Sequence, residues 1–278
     1  MTTLPQQPGP IGVFDSGYGG LTILQGIRKM LPRYDYIYLG DNARTPYGTR
    51  SFDVVYEFTR QAVVKLFQLG CHLVILGCNT ASAKALRTIQ QHDLPMLDPQ
   101  RRVLGIIIPT AEVVGGLTRS RHVGILATEG TIRSGSYEIE IAKRYPDIQV
   151  TGQACPMWVP LVEYNEIDNA GTNFFVKKGI YQLMAKDELI DTIILGCTHY
   201  PILLPVIRRH LIPGVEVVRQ GYYVASSLRD YLSRHPDMEA RCSQGTSVRY
   251  LTTENPTKFS ESAQLFLREA VEVEHVVL

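Results

Sequence analysis

The chain has 278 residues, with 28 basic and 27 acidic side chains and a formal net charge of +1. That balance gives no electrostatic reason to expect nucleic acid or a membrane surface as a partner. The 45% hydrophobic content, and the lack of an apolar stretch that could span a membrane or form a signal peptide, predict a globular protein of one large or two smaller domains.

Strand-like and helix-like segments alternate along most of the chain. The predicted strands, in chain order, are IGVFDSG, YDYIYLGD, HLVILGC, RVLGIIIP, HVGILAT, IQVTGQACP, DTIILGC and VEVEHVVL. The predicted helices are LTILQGIRKML, SFDVVYEFTRQAVVKLFQLG (closed by Gly70), ASAKALRTIQQH, one that starts at Tyr222 and one near Phe259–Ala270. Apolar strands separated by helices are typical of parallel sheets covered on both faces. The pattern therefore predicts an α/β fold.

One local frame occurs twice, in LVILGCNTAS at 73–82 and in TIILGCTHYP at 192–201. In each copy an apolar strand ends in Leu-Gly-Cys, and small polar residues lead into a helical pattern. The repetition predicts two similar parallel-sheet halves, from about Ile11 to Ile107 and from about Ile108 to Gln220. The remaining segment, 221–278, is expected to pack on the first half. The predicted domains are therefore 11–107 plus 221–278, and 108–220.

The two repeated cysteines, Cys78 and Cys197, are predicted at the carboxyl ends of strands, where open α/β sheets bind ligands. Asn79 or Thr80 after the first, and Thr198 after the second, are candidate helix caps, and a helix N-terminus favours a thiolate. A single strand-end cysteine is more often a packing residue. Two of them, in different halves, predict a cleft with a sulfur on each side. That arrangement suits removal of a proton from one face of a carbon and return of a proton to the other.

Further polar side chains are predicted at the ends of strands. They are Asp15, Ser16, Asp41, Asn42, Thr128, Glu163 and His199. A carboxylate or imidazole beside a thiol can hold its proton. Taken singly, Asp15 is equally explained as a helix cap, Glu163 as a surface acid and His199 as a capping or packing residue. The turn DSGYGG is not a dinucleotide fingerprint, because Thr22 replaces its third glycine, and it lacks the Gly-Lys of a phosphate loop.

The five cysteines form no Cys-x-x-Cys pair and no disulfide framework. We therefore expect reduced thiols and a cytoplasmic protein. Cys71, His72 and Cys78 do not have the spacing of zinc ligands, so no metal site is predicted. Cys71, Cys155 and Cys242 are interpreted as structural residues.

Six motifs occur in order along most of the chain: FDSGYGGLT (14–22), GDNARTPYG (40–48), CNTASA (78–83), ATEGTIRSGSY (127–137), CPMWVPLVE (155–163) and GCTHYP (196–201). Together they resemble the glutamate racemases of the cofactor-independent aspartate/glutamate racemase superfamily. The resemblance implies two α/β domains with the active site in the cleft between them. It implies interconversion of L- and D-glutamate without a cofactor, supply of D-glutamate for peptidoglycan, and a homodimer.

The resemblance also implies roles for individual residues. Cys78 and Cys197 would be the two bases, with Asp15 assisting Cys78, His199 assisting Cys197 and Glu163 nearby. The implied substrate-binding residues are Asp15, Ser16, Pro46, Tyr47, Gly48, Asn79, Thr80, Thr128, Thr198 and His199. Hydroxyl groups and backbone amides in this set would hold the carboxylates and the ammonium group of the substrate.

The chain departs from the family pattern in two places. Arg219 and Gln220 stand where many relatives have an Asp-Ser pair, so no role of that pair transfers to this chain. Tyr18 stands where a smaller aliphatic residue is common, and no function is inferred from it.

Four other functions remain open from the sequence. They are racemisation of aspartate or hydantoins, decarboxylation of a malonate by one cysteine, amino-acid binding by a non-catalytic two-lobed sensor, and racemisation with pyridoxal phosphate on a Schiff-base lysine. The second cysteine argues against the decarboxylase. The choice between aspartate and glutamate depends on the length of the pocket, which the residues alone do not display.

Overall fold

The computed structural model describes residues 7–278. Its strands are β1 (Ile11–Asp15), β2 (Tyr36–Gly40), β3 (Leu73–Leu76), β4 (Arg102–Gly105), β5 (His122–Ala127), β6 (Gln149–Ala154), β7 (Thr192–Gly196), β8 (Glu216–Val218), β9 (Val248–Thr252) and β10 (Val273–His275). They form a six-stranded sheet, in the order β10-β9-β2-β1-β3-β4, and a four-stranded sheet, in the order β6-β5-β7-β8. All pairings are parallel. The predicted class, two parallel-sheet α/β domains, is confirmed.

Helices connect the strands and cover the sheets. The α-helices are α1 (Leu21–Met30), α2 (Phe52–Gln68), α3 (Asn79–Lys84), α4 (Leu86–Thr88), α5 (Leu94–Leu97), α6 (Ile107–Val113), α7 (Glu129–Arg133), α8 (Ser136–Ala142), α9 (Trp158–Glu163), α10 (Ala170–Met184), α11 (Leu204–His210), α12 (Gln220–Arg234), α13 (Pro236–Glu239) and α14 (Pro256–Leu267). Short 3-10 helices occupy Asn42–Arg44, Val114–Gly116 and Tyr200–Leu203, and a π-helix occupies Ile89–Asp93. Within 7–278, none of the helices combines the length and apolarity needed to cross a membrane.

The first sheet brings the ends of three apolar strands side by side. Strand β1 lies between β2 and β3, with Val13 level with Tyr38 and Ile75. All residues of these strands are buried. Alternate side chains enter two separate apolar clusters, Val13 and Ile75 in one, Phe14 and Leu76 in the other. Because both faces of the strands are covered, the polar residues that follow them collect at one edge of the sheet.

The second sheet repeats this arrangement around β5. Ala127, the last residue of β5, is level with Ala154 of β6 and Gly196 of β7. The next residues along the chain, Thr128 and Cys197, therefore leave the sheet at the same edge. Parallel pairing thus places the second half's candidate residues together, as it does in the first sheet.

The predicted strand RVLGIIIP is wrong in its second part. Strand β4 ends at Gly105, and α6 begins at Ile107 with Pro109 inside its first turn. Proline suits that position because the first turn of a helix needs no donated N–H. Ile106 and Ile107 are buried at the start of this helix. A short apolar run indicates a buried segment, and that segment can be a strand or a helix.

Strand β9 was missing from the sequence prediction. It lies between β2 and β10 in the first sheet. Its second residue, Arg249, breaks the apolar run and pairs with Glu274 of β10 at 2.8 Å. Strand β10, which was predicted, also belongs to the first sheet, so the chain returns to that sheet after α12.

One predicted helix ends where its sequence signal indicates, and another predicted helix is divided into several segments. Gly70, with a φ of +93°, follows the last turn of α2 as predicted. Such a φ suits glycine because it has no Cβ. The single helix predicted after Cys78 is instead a series of short segments, α3, α4, the π-helix and α5.

Candidate active site

A cavity of about 130 Å³ lies between the polar ends of the two sheets. Most of the predicted site residues line it: Ser16, Pro46, Tyr47, Gly48, Cys78, Asn79, Thr80, Thr128, Cys197, Thr198 and His199. Asp15 and Glu163 lie behind this lining and reach it through Thr198 and His199. The two sulfur-bearing residues come from different sheets, Cys78 after β3 and Cys197 after β7. Each is 6% exposed.

Cys78 is the N-cap of α3, so Asn79, a predicted cap, is instead the first residue of the helix. The backbone N–H of Ala81 donates to its sulfur at 3.5 Å, and Ser16 Oγ lies 3.5 Å from the same atom. Burial raises the pKa of Cys78 to about 12, and the nearby charge of Asp15 adds to that increase. The expectation that a helix N-terminus would favour a thiolate is therefore wrong for Cys78, because the cost of desolvation exceeds the benefit of one N–H donor.

Cys197 has an imidazole as its neighbour. Its sulfur lies 3.9 Å from His199 Nδ1, and His199 Nε2 lies 3.1 Å from Glu163 Oε1. Burial alone would lower the pKa of His199, but the hydrogen bonds to Cys197 and Glu163 outweigh it and raise the pKa to about 10. The Cys197 sulfur therefore has a positively charged N–H donor beside it near neutral pH.

Asp15 is fully buried at the end of β1. It accepts hydrogen bonds from the backbone N–H of Gly17 at 2.8 Å and from Thr198 Oγ1 at 3.5 Å. Burial raises the pKa of Asp15, and the charge of His199 offsets part of that increase. Asp15 thus contacts Thr198, which follows the second sheet, and its charge raises the pKa of the Cys78 thiol. Thr198 does not cap a helix as predicted, because its hydroxyl is directed to Asp15.

Three threonine hydroxyls join the two halves across the cavity. Thr80 Oγ1 lies 3.0 Å from Thr128 Oγ1 and 3.4 Å from Thr131 Oγ1. Thr128 is the N-cap of α7 and accepts from the backbone N–H of Thr131 at 3.3 Å. Thr131 was not among the predicted site residues. It lies three residues after Thr128, about one turn further along α7.

The loop at 45–48 presents its backbone to the cavity. The Tyr47 hydroxyl donates to the buried Asp41, which also accepts from Arg44 Nε at 2.7 Å. Asp41, a predicted strand-end acid, therefore holds the loop and does not line the cavity. Gly48 O accepts from the backbone N–H of Gly130 at 2.8 Å. A Cβ at position 48 would lie only 2.9 Å from Thr128 Cβ, so only glycine permits this approach.

The amide of Asn79 is fixed by two residues that the sequence analysis did not select. Tyr137 Oη donates to Asn79 Oδ1 at 2.7 Å, and Asn79 Nδ2 donates to Gln220 Oε1 at 2.6 Å. Both partners are distant from Asn79 in sequence. Only the departure from the family pattern at 219–220 drew attention to Gln220, and nothing in the sequence indicated its contact.

The remaining cysteines lie outside the cavity lining, and all five cysteines are free thiols. Cys71 is packed against Gly12 of β1, where a Cβ on the glycine would lie 3.2 Å from the sulfur. Cys155 is directed to Gln153 O at 3.9 Å and Cys242 to Met238 O at 3.3 Å. Burial raises the pKa of Cys71 and Cys242 to about 12. Apolar burial of this kind keeps a thiol unreactive.

Known proteins resemble this chain in sequence and in structure. The family model for Asp/Glu/Hydantoin racemases matches residues 11–225. The glutamate racemase of Ruegeria pomeroyi is 40% identical over 271 residues, which are 94% of this chain and 97% of the relative.

Two solved structures extend the comparison to three dimensions. A glutamate racemase from Bacillus anthracis superposes with a TM-score of 0.88 at 32% identity, covering 97% of this chain and 98% of the other. The glutamate racemase of Francisella tularensis, solved with D-glutamate, gives a TM-score of 0.85 at 31% identity with the same coverage. The similarity extends over nearly the whole length of the chain. The chain therefore belongs to the Asp/Glu/Hydantoin racemase family.

Proposed function

We propose that the chain interconverts L- and D-glutamate without a cofactor, with Cys78 and Cys197 acting on opposite faces of the α-carbon. The observation that carries the proposal is that two cysteines from different sheets line one small cavity. The relatives are glutamate racemases over nearly the whole chain, and one of them was solved with D-glutamate. These likenesses support glutamate as the substrate.

In the proposed reaction one sulfur, as a thiolate, takes the proton from the α-carbon. The electron pair of that C–H bond stays on the substrate as a carbanion conjugated with the α-carboxylate. The thiol on the opposite side then gives its proton to the other face, which inverts the centre. The raised pKa of Cys78 supports its role as the proton donor in one direction. The Cys197–His199–Glu163 chain supports proton removal at the other sulfur.

Substrate binding is proposed to use residues that line the cavity, together with Asp15, which lies behind the lining. The set is Asp15, Ser16, Pro46, Tyr47, Gly48, Asn79, Thr80, Thr128, Thr198 and His199. The hydroxyl groups of Thr80 and Thr128, 3.0 Å apart, and the backbone of the 45–48 loop offer donors to carboxylate oxygens. Asp15 and Glu163 are proposed to assist the sulfurs through Ser16, Thr198 and His199.

Circular dichroism of D- or L-glutamate incubated with the protein tests this function, because racemisation removes the optical signal. Cys78→Ser and Cys197→Ser are each expected to abolish the change, since serine is far less acidic than cysteine. Cys71→Ser, outside the cavity, is the control and should remain active. A reduced, folded wild type that leaves the signal unchanged would refute the proposal, as would activity in either of the first two variants.

The same assay with aspartate as substrate separates glutamate racemisation from the sister activity. We expect glutamate to have the higher kcat/KM. A higher value for aspartate would assign the chain to the other substrate.

The cellular part of the proposal is supply of D-glutamate for peptidoglycan. The chain is expected to restore growth to a bacterium that cannot make D-glutamate, and its Cys78→Ser variant is not. Five free thiols suit a reducing compartment, which supports a cytoplasmic location. We also propose a homodimer, to be tested by sedimentation, and domains of 11–107 plus 221–278 and of 108–220. Independent expression of 108–220 as a folded unit tests those boundaries.

A further inference from the structure

A closed ring of hydrogen bonds lies behind the cavity wall beside Cys78. Gln220 Nε2 donates to Tyr137 Oη at 2.8 Å, Tyr137 Oη donates to Asn79 Oδ1 at 2.7 Å, and Asn79 Nδ2 donates to Gln220 Oε1 at 2.6 Å. The three residues are at most 3% exposed. They come from α3, α8 and α12, so the ring joins separate parts of the fold.

The direction of the ring is set by a main-chain carbonyl. The second hydrogen of Gln220 Nε2 is shared between Ile106 O at 3.1 Å and Thr110 Oγ1 at 3.0 Å. A carbonyl oxygen only accepts, so the NH₂ side of the Gln220 amide must face Ile106. The Gln220 oxygen then faces Asn79 and leaves only the NH₂ side of Asn79 able to meet it. If the Asn79 amide were rotated by half a turn, its oxygen would face the Gln220 oxygen, and Asn79 could no longer accept the hydrogen bond from Tyr137.

Fixing the Asn79 amide determines what it presents to the cavity. Its oxygen is occupied by Tyr137, and one Nδ2 hydrogen is occupied by Gln220. The second hydrogen has no acceptor within the described residues, 7–278, and Asn79 lines the cavity next to Cys78. Its available group is therefore an N–H donor, which binds a carboxylate oxygen and repels an ammonium group.

We propose that Gln220 is a positioning residue for the carboxylate of the bound amino acid, acting through the orientation of Asn79. The inference rests on the proposed function, since it assumes an amino acid in this cavity. It gives a role to Gln220, which lies at the position where the Asp-Ser pair of many relatives is absent. It also makes α12 part of substrate recognition, although Gln220 does not line the cavity.

Steady-state kinetics of Gln220→Leu, which keeps the volume and removes the amide, tests the inference. We expect KM for glutamate to rise about tenfold or more, the effect of losing one hydrogen bond to a charged group. The value of kcat should change much less where Asn79 holds the side-chain carboxylate. It should fall as well where Asn79 holds the α-carboxylate, because that group gains negative charge as the α-proton leaves. Gln90→Leu is the matched control, since Gln90 also donates to a main-chain carbonyl, Val103 O at 2.7 Å, outside the cavity.

A double-mutant cycle shows whether Gln220 acts through Asn79. In an Asn79→Ala background, Gln220→Leu is expected to raise KM no further. An unchanged KM in the single variant overturns the inference, and so do additive effects in the cycle. If Gln220→Leu fails to fold, Tyr137→Phe takes its place in the same measurements, because it removes the donor to Asn79 Oδ1.

Calorimetric binding of D-glutamate separates this inference from the proposed function. A wild type that binds D-glutamate without racemising it would refute the function, and weaker binding by Gln220→Leu would still support the positioning role. A wild type that neither binds nor racemises glutamate overturns both. An active wild type with equal affinity in the variant overturns the positioning role alone.

Discussion

At the scale of single residues, the two sulfurs have different surroundings. Cys78 has a hydroxyl and one backbone N–H as neighbours, and burial keeps it protonated near neutral pH. Cys197 has the imidazole of His199, which Glu163 holds from its other side. A buried pair with one protonated member and one beside a positive charge suits one direction of the two-base reaction that we propose.

The raised pKa of His199 predicts how stability depends on pH. The pKa rises from 6.5 to about 10 on folding, so the folded state binds the proton more tightly. The resulting stabilisation is complete below about pH 6.5, declines as pH rises and is lost above about pH 10. Urea unfolding from pH 6 to 10 should show a steeper loss of stability in the wild type than in His199→Asn. Equal slopes in the two proteins would contradict the raised pKa.

Some properties of these residues could be predicted from the sequence and others could not, because some depend on contacts between distant segments. Cys197 and His199 are two positions apart after one strand, and the family resemblance implied that His199 assists Cys197. The protonation of Cys78 was predicted wrongly because it depends on burial by distant segments, which no local motif displays. Gln220 was missed for the same reason, since its partner Asn79 is 141 positions away.

At the scale of elements, the 45–48 loop and α7 form one wall of the cavity. Their closest approach is at Gly48, where a Cβ would lie 2.9 Å from Thr128 Cβ. The strands could be predicted from apolar runs, but this close approach could not, because it joins a loop of the first half to a helix of the second. The same limit explains why β9 was missed, because the pairing of Arg249 with Glu274 is formed only when β9 and β10 are neighbours in the sheet.

Gly48→Ala is expected to separate this loop from α7. Overpacking of this kind costs about 1–3 kcal/mol, so we expect glutamate KM to rise about tenfold, by the relation of 1.4 kcal/mol to a factor of ten. Gly116→Ala is the control, because a Cβ there meets nothing within 4 Å. Kinetic constants of both variants measure the effect, and an unchanged KM for Gly48→Ala would show that the loop can move without consequence.

At the scale of the whole molecule, two separate parallel sheets supply one sulfur each. Because Cys78 follows β3 and Cys197 follows β7, neither half alone contains both of the cysteines proposed to act as bases. The chain's two similar halves could be predicted from its repeated frame. Their relative placement could not, since it depends on contacts such as Thr80 with Thr128 that pair residues from each half.

This division of the site predicts the fate of the α-hydrogen in D₂O. The hydrogen removed by one sulfur stays on that side, and the other sulfur delivers a deuteron from solvent. At low conversion the product should carry deuterium at the α-carbon while the remaining substrate retains hydrogen. Mass spectrometry of the separated enantiomers measures both. Product that keeps the original hydrogen would indicate a single base and would contradict the two-sided arrangement.

The hydrogen bond from the Gly130 N–H to Gly48 O has a consequence for how the substrate enters the cavity and leaves it. With this bond and the threonine contacts in place, both sulfurs are almost sealed from solvent. Because each sulfur is only 6% exposed, we expect the entry and release of glutamate to require opening of these contacts, each of which contributes only about 0.5–1.5 kcal/mol. Contacts of this strength break readily. A more viscous solvent should therefore slow turnover by slowing the entry and release of the amino acid, and it should leave the rates of the proton transfers unchanged.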